Sequence, residues 1–227
     1  VQLLGDLLYQ VSGAHDDFAQ RDISVLLEDE HRSSVLAVLY ILRLDSVDSV
    51  ANTATHVWKM LISNTPKTLR QILPILMQVV LQQLSFPGET RLIASRALGE
   101  LVNKLGGERT IVEIIPFLDK ELESANSNMR IGVCCGLDEV LETAGKSQIS
   151  AYFESLLPSI RKALSDELAD VRTAASKTFD YLYRAVGARA IDATLPPLIE
   201  QMGDSDPVRS DLALQAVRQM LLVRSHQ

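Results

Sequence analysis

Four arginines recur about every 40 residues and are the side chains best suited to bind charged groups. A guanidinium group is always charged and can hold both oxygens of a carboxylate or a phosphate. Each arginine could therefore pair with an aspartate of its own or the neighbouring repeat, or the row could bind phosphates or acidic peptides along a concave surface. Both functions are consistent with the pattern. The four positions are Arg91, Arg130, Arg172 and Arg209.

A second set of cations lies within residues 59–109, which carry seven basic and three acidic residues in a chain of net charge −7. Such a local excess of positive charge attracts an RNA backbone. The acidity of the whole chain argues against a strongly basic DNA-binding domain. We predict that these cations contact a partner: Lys59, Lys67, Arg70, Arg91, Arg96, Lys104 and Arg109.

The sequence has no pattern typical of catalysis, cofactor binding or metal binding. Glycine-rich phosphate loops, H-E-x-x-H and paired C-x-x-C motifs do not occur, and the four histidines are scattered. Adjacent Cys134 and Cys135 cannot build a disulfide framework or a zinc site, so we predict reduced thiols. Asp138 and Glu139 are expected on exposed helix faces. We predict no enzyme activity, no cofactor and no metal.

A proline marks a second repeated position, again about every 40 residues. It lies in an apolar frame, as in residues 72–76 (ILPIL) and 114–118 (IIPFL). A proline inside a helix removes one backbone hydrogen bond and bends the helix. We therefore interpret these residues as bends in the first helix of each repeat. They are Pro74, Pro116, Pro158 and Pro196.

Apolar or small residues at positions 3, 7 and 11 after each arginine predict a second helix. In one repeat they are Ala94, Leu98 and Val102. Ala51 occupies the arginine position of an earlier copy, and the first residues of the chain fit a sixth second helix. First helices are predicted over residues 32–44, 67–85, 109–124, 148–165 and 189–202.

Helix pairs of this length cannot bury their apolar faces alone and must stack on one another. The predicted fold is all-α, an α-solenoid (superhelix) of about five to six HEAT repeats with two helices per repeat. Propeller blades have a similar period, but the helical spacing in both halves of the unit excludes them. The two-helix unit favours HEAT repeats over three-helix armadillo repeats.

We predict that residues 1–227 form one array segment cut from a longer solenoid. The first residues continue a helical pattern without a capping residue, and residues 212–223 are apolar on more than one face. Residues 14–30 form an acidic insertion between the first and second visible repeats. It is either a solvated loop with one extra helical turn or a projecting contact element.

No segment is predicted to cross a membrane. The most apolar run, residues 72–81, is about half of a bilayer span and contains Pro74 and Gln78. The first residues lack the basic region and cleavage site of a secretory signal. With reduced cysteines, these features predict an intracellular protein.

Several longer strings are more specific than a repeat consensus. They include residues 64–74 (NTPKTLRQILP), 94–106 (ASRALGELVNKLG) and 130–137 (RIGVCCGL). These strings, together with others across essentially the whole chain, resemble the general control translational activators. That family consists of giant HEAT-repeat activators of the amino-acid-starvation eIF-2-alpha kinase. Ala51 departs from the resemblance, since arginine is expected there.

The resemblance implies a non-catalytic cytoplasmic scaffold that associates with translating ribosomes. Its implied partners are the ribosome, through rRNA backbone and ribosomal proteins, the eIF-2-alpha kinase and other RWD-domain proteins, and an ABC-family protein. The residues that bind the kinase are expected downstream, so none is assigned here. Two alternatives stay open: a HEAT scaffold unrelated to translation, of the phosphatase-scaffold or nuclear-import-receptor type, and a spacer that makes no contact itself.

Overall fold

The computed structural model describes residues 29–106 and 108–225, and within those ranges every regular element is an α-helix. First and second helices alternate along the chain. The first helices are α1 (Asp29–Leu42), α3 (Thr65–Leu84), α5 (Glu108–Glu121), α7 (Lys146–Leu164) and α9 (Ala188–Met202). The second helices are α2 (Asp48–Leu61), α4 (Glu89–Leu105), α6 (Ser127–Thr143), α8 (Ala169–Val186) and α10 (Pro207–Ser225).

The predicted pattern of paired helices is confirmed, and each predicted first helix agrees with the observed one to within three residues at both ends. The predicted sixth second helix, in the first residues of the chain, lies outside the described residues. So does the predicted acidic insertion, except for Asp29 and Glu30, which begin α1.

The chain divides into two units, Val1–Val80 and Leu81–Gln227. In the first unit α1 packs on α2, and the rings of Tyr40 and Trp58 lie 5.4 Å apart. The guanidinium group of Arg43 lies over both rings, 4.3 Å from Tyr40 and 5.3 Å from Trp58. Arg43 thus covers the aromatic core at the end of α1. The prediction of a single array segment stays a prediction.

In the second unit the second helices form a layer in which α4 packs on α6, α6 on α8 and α8 on α10. The first helices α5 and α7 pack against each other. The residues at positions 3, 7 and 11 of each second helix face this core, as the spacing predicts. In both units all of them are buried except Ile62, Tyr183 and Leu212, which are half-buried.

All four marker prolines lie inside first helices, and all four are exposed. Residues two positions on either side are buried, as Ile114 and Leu118 are around Pro116. The carbonyl that loses its hydrogen bond belongs to the residue four positions earlier, and each of those residues is also exposed. Water can therefore satisfy the carbonyl, so the proline costs less on this face than it would in the core.

Glycines allow α6 to approach α3 and α4 closely. A Cβ atom on Gly132 of α6 would overlap the carbonyl oxygen of Leu84, the last residue of α3. A Cβ atom on Gly99 of α4 would lie 3.0 Å from the carbonyl oxygen of Glu139 on α6, and one on Gly136 would lie 2.8 Å from Cδ2 of Leu98, a side-chain end that can move. Gly132 has no positive φ, so glycine is required there because the space belongs to the backbone of a neighbouring helix.

We expect Gly132→Ala to lower the free energy of unfolding by about 3 kcal/mol, because the added methyl group overpacks a backbone contact. Urea denaturation of the 227-residue chain measures this. Gly145→Ala is the matched control: its Cβ atom would meet only Oε1 of Gln148, at 3.7 Å. The control should change stability by less than about 0.5 kcal/mol. Equal effects of the two substitutions would contradict the packing account.

Candidate functional site

The repeated arginines first serve the turn that precedes them. Nε of Arg91 donates to the carbonyl of Leu84 at 2.9 Å, seven residues earlier. Nη1 of Arg130 donates to the carbonyl of Ser124 at 2.7 Å, six residues earlier. Nη1 of Arg172 donates to the carbonyl of Asp166, also six residues earlier and at 2.7 Å. These acceptors lie at or just after the end of a first helix, where backbone carbonyls lack helical partners.

A second set of bonds joins Arg130 to the next repeat. Its Nε and Nη2 donate to the two carboxylate oxygens of Asp166 at 2.7 and 3.0 Å. The two side chains are only 7% and 10% exposed, and Asp166 also accepts the backbone N–H of Leu168 at 2.9 Å. The hydrogen bonds that Arg130 donates to Asp166 raise the pKa of Arg130. All three nitrogens of this guanidinium group are thus used inside the protein.

The other arginines differ in their inter-repeat contacts. Nη2 of Arg91 donates to the carbonyl of Asn128 in the next repeat at 3.0 Å. Arg209 lies 3.8 Å from Asp204 and 3.7 Å from Asp206, both of its own repeat. Aspartate pairing, one of the two alternatives for these arginines, therefore occurs at Arg130 and Arg209, while Arg172 donates to backbone carbonyls and Arg91 to carbonyls and to Oδ1 of Asn128. These bonds favour the structural function of the row over phosphate binding.

The seven candidate contact residues fall in both units, three in Val1–Val80 and four in Leu81–Gln227. They lie on first and second helices alike, so no single helix layer carries them. Arg91 is half-buried and bonded as described above. The other six are exposed: Lys59 on α2, Lys67 and Arg70 on α3, Arg96 and Lys104 on α4, and Arg109 on α5.

Three of the exposed cations, all in the first unit, lie in a stretch of sequence without acidic residues. Residues 49–88 contain no aspartate or glutamate, although the chain has 29 acidic residues. In the second unit Glu100 lies between Arg96 and Lys104 on α4, and Arg109 pairs with Glu113 at 3.3 Å. Three exposed cations therefore share a carboxylate-free stretch of α2 and α3. We call Lys59, Lys67 and Arg70 the basic corner.

The basic corner is held by side-chain hydrogen bonds. Nε1 of Trp58, at the end of α2, donates to Oγ1 of Thr65 at 3.0 Å. Oδ1 of Asn64 accepts the backbone N–H of Lys67 at 3.0 Å, as an N-cap residue does. Both bonds fix the short turn between the two helices. The cations are thus attached to ordered backbone rather than to a loose loop.

Asp138 and Glu139 are both half-buried, so the expectation that they lie on exposed helix faces was wrong. Asp138 is the more strongly affected. Burial raises its pKa to about 6, although a hydrogen bond from Thr178 acts in the opposite direction. Oγ1 of Thr178, on α8, donates to Oδ1 of Asp138 on α6 at 2.5 Å. The sequence feature that could have predicted this contact is the hydroxyl group of Thr178, one repeat downstream. It predicts a partner for Asp138 only once the register of α6 against α8 is known.

No reactive or metal-binding group emerges among the described residues. Burial raises the pKa of both Cys134 and Cys135, which disfavours the nucleophilic thiolate form. Within the described ranges no three histidine, cysteine or acidic side chains are grouped as metal ligands would be. No described helix is both long and apolar enough to span a bilayer.

The chain matches one protein family and several individual proteins in sequence. The family described as "EF3 N-terminal HEAT repeat" matches residues 91–227. The stalled ribosome sensor GCN1 of Homo sapiens is 41% identical over 241 residues, covering 99% of this chain. The eIF-2-alpha kinase activators GCN1 of Dictyostelium discoideum and Saccharomyces cerevisiae are 39% and 35% identical over the same share. The chain spans 9% of the length of each of these relatives.

A protein of known structure that aligns with this chain has a lower sequence identity than the relatives above. A designed armadillo repeat protein is 15% identical with a TM-score of 0.38, and the match covers 96% of this chain and 92% of that one. The prediction of HEAT repeats is confirmed by the family match.

Replacing Arg130 with methionine should lower the free energy of unfolding by about 3–5 kcal/mol, because Asp166 keeps a buried charge without its partner. Chemical denaturation of the 227-residue chain measures the loss. Arg109→Met is the control, since that pair is exposed and joins residues four apart on one helix. It should cost no more than about 0.5 kcal/mol. A loss at Arg130 as small as the control's would contradict a structural function.

Asp138→Asn should stabilise the chain at neutral pH while keeping an acceptor for Thr178. The unfolded carboxyl group titrates near 3.8 and the folded one near 6, so the native state binds more protons between these values. Stability should therefore fall as pH rises from about 4 to 6, and the fall should disappear in the variant. At pH 7 the variant should be more stable by about 2–3 kcal/mol. Urea titrations from pH 4 to 7 test this, and parallel profiles would contradict it.

Proposed function

Because this chain belongs to the family of EF3 N-terminal HEAT repeats, we propose that it is a non-catalytic scaffold segment of a ribosome-associated activator of the eIF-2-alpha kinase. One observation carries the proposal: 99% of the chain aligns at 41% identity with a protein named stalled ribosome sensor. Two further relatives that align over the same share are named activators of that kinase. The segment acts in translational control in the cytoplasm.

The polar interior supports a scaffold rather than an enzyme. Buried polar groups are used to join one repeat to the next, as in the pairs Arg130–Asp166 and Thr178–Asp138. The first helices are joined in the same way, since Oγ of Ser159 donates to Oδ1 of Asp119 at 2.6 Å. Groups committed to such contacts have fixed geometry and are not available to a substrate. The exposed surface is therefore where this segment acts.

Within that surface, the six exposed candidate cations are the proposed ribosome contact, and the basic corner is its strongest part. Residues 49–88 contain no carboxylate, so this stretch adds no like-charge repulsion when it approaches phosphates. Lys59, Lys67 and Arg70 offer charge to the backbone of rRNA without reading its bases. Arg91 contributes to the same contact only weakly, because its guanidinium group already donates to two carbonyls.

The partners of the intact protein follow from the same relationship. They are the ribosome, the eIF-2-alpha kinase with other RWD-domain proteins, and an ABC-family protein. The kinase-binding residues lie outside this segment. A segment that only sets the distance between those sites is the competing proposal, and binding experiments on the exposed cations separate the two.

Charge reversal in the basic corner, Lys67→Glu with Arg70→Glu, should reduce ribosome co-sedimentation of the intact protein about tenfold near physiological salt. The pair Arg96→Glu with Lys104→Glu should have a smaller effect, because Glu100 already offsets those cations. Lys120→Glu with Lys146→Glu makes the same change of charge on exposed residues outside the candidate set. Equal loss in the control would indicate a net-charge effect, and unchanged binding in all variants would support the spacer.

A further inference from the structure

The arginine of α10 stands one residue nearer to its turn than the arginine of α8, although both turns, 165–168 and 203–206, have four residues. Asp166 and Asp204 are equivalent residues, because each accepts the backbone N–H two residues later: Leu168 at 2.9 Å and Asp206 at 3.0 Å. Asp166 stands six residues before Arg172, but Asp204 stands five before Arg209. The aspartate of the last turn is therefore displaced by one residue relative to its arginine.

Arg172 lacks the contact that its equivalent makes. Arg130 reaches forward to Asp166, the aspartate of the next turn. Arg172 donates through Nη1 to the carbonyls of its own turn, Asp166 at 2.7 Å and Glu167 at 2.9 Å. Its Nε is buried and has no hydrogen-bond partner among the described residues. A buried donor without a partner costs free energy that a nearby carboxylate would recover.

Asp204, the aspartate that Arg172 would reach, is instead paired with Arg209. Their closest atoms are 3.8 Å apart, and the side chain of Arg209 is 73% exposed. An exposed ion pair of this length contributes little to stability. The observed partner of Asp204 is thus a weak one, whereas Arg172, whose buried Nε is unused, would be a stronger partner.

We propose that Asp204 alternates between Arg209 and Arg172, which makes the junction between α7–α8 and α9–α10 a two-state joint. In the observed state Asp204 pairs with Arg209. In the second state it pairs with Arg172 and repeats the Arg130–Asp166 contact one repeat further along. Each state has its own stabilising contact, which is the requirement for a population that a ligand can shift.

Arg189 provides the pivot of this joint. At the start of α9, its Nη2 lies 2.8 Å from Oε1 of Glu154 on α7, and its guanidinium group lies 4.5 Å from the centre of the Phe153 ring. Asp204 follows the other end of α9. A helix rises about 1.5 Å per residue, so roughly 20 Å separate the pivot from the turn. A small rotation about Arg189 is therefore amplified along α9 into a larger displacement of Asp204.

A double-mutant cycle on the 227-residue chain tests the joint. Arg172→Met and Asp204→Asn are made singly and together, and asparagine keeps the acceptor for the N–H of Asp206. Each single substitution should reduce the folding equilibrium constant by some factor. The factor for the double variant should be at least about threefold smaller than the product of the two single factors. The cycle of Arg130→Met with Asp166→Asn, a pair seen in contact, is the positive control.

Arg209→Gln removes the competing partner and gives the second readout. In that background the coupling between residues 172 and 204 should increase at least about twofold, because the second state becomes the major one. Hydrogen exchange of the amides in residues 204–210 should slow in the same variant. Additive effects of Arg172→Met and Asp204→Asn in both backgrounds would overturn the proposal, and so would coupling that does not respond to Arg209→Gln.

Discussion

The contact between successive second helices is the constraint on which the rest of the described structure depends. A helix pair of about 40 residues has an apolar face that only another pair can cover. Close packing of α6 depends on glycine, since Gly132 meets the backbone of Leu84 on α3 and Gly99 of α4 meets the backbone of Glu139. Once the helices are this close, polar side chains in the interface must find partners across it, as Thr178 finds Asp138. Position along the repeat thus decides which residue types are tolerated.

The repeated arginines and prolines both affect backbone carbonyls of the first helices, at different positions along the helix. Both concern carbonyl groups that a first helix leaves without a helical partner. At the end of the helix the carbonyl is turned inward and an arginine from the next helix donates to it. In the middle of the helix a proline frees a carbonyl on the exposed face, where water is the partner. Arginine is therefore used where the carbonyl needs a donor from the protein, and proline is tolerated where the carbonyl faces solvent.

The helices and their core faces were predictable because they depend on spacing within about 12 residues. The exposure of the marker prolines, the burial of Asp138 and the orphaned Nε of Arg172 depend instead on residues one repeat away. Thr178 lies 40 residues after Asp138, and the turn that contains Asp204 lies more than 30 residues after Arg172. A one-residue shift of an arginine along its helix changes such pairings without changing the helix pattern. The excess of cations in the basic corner was predictable from composition. The turn that holds them was not, because it depends on hydrogen bonds made by Trp58, Thr65 and Asn64.

The bond from each arginine to its own turn has a consequence for how such a chain can lengthen. Arg91, Arg130 and Arg172 each cap carbonyls that belong to the same helix pair. A pair that is copied by duplication therefore brings the donor for its own carbonyls with it. The new copy needs only an apolar neighbour on each side to be accommodated. Growth by whole repeats leaves no unpaired backbone behind, while loss of half a repeat would.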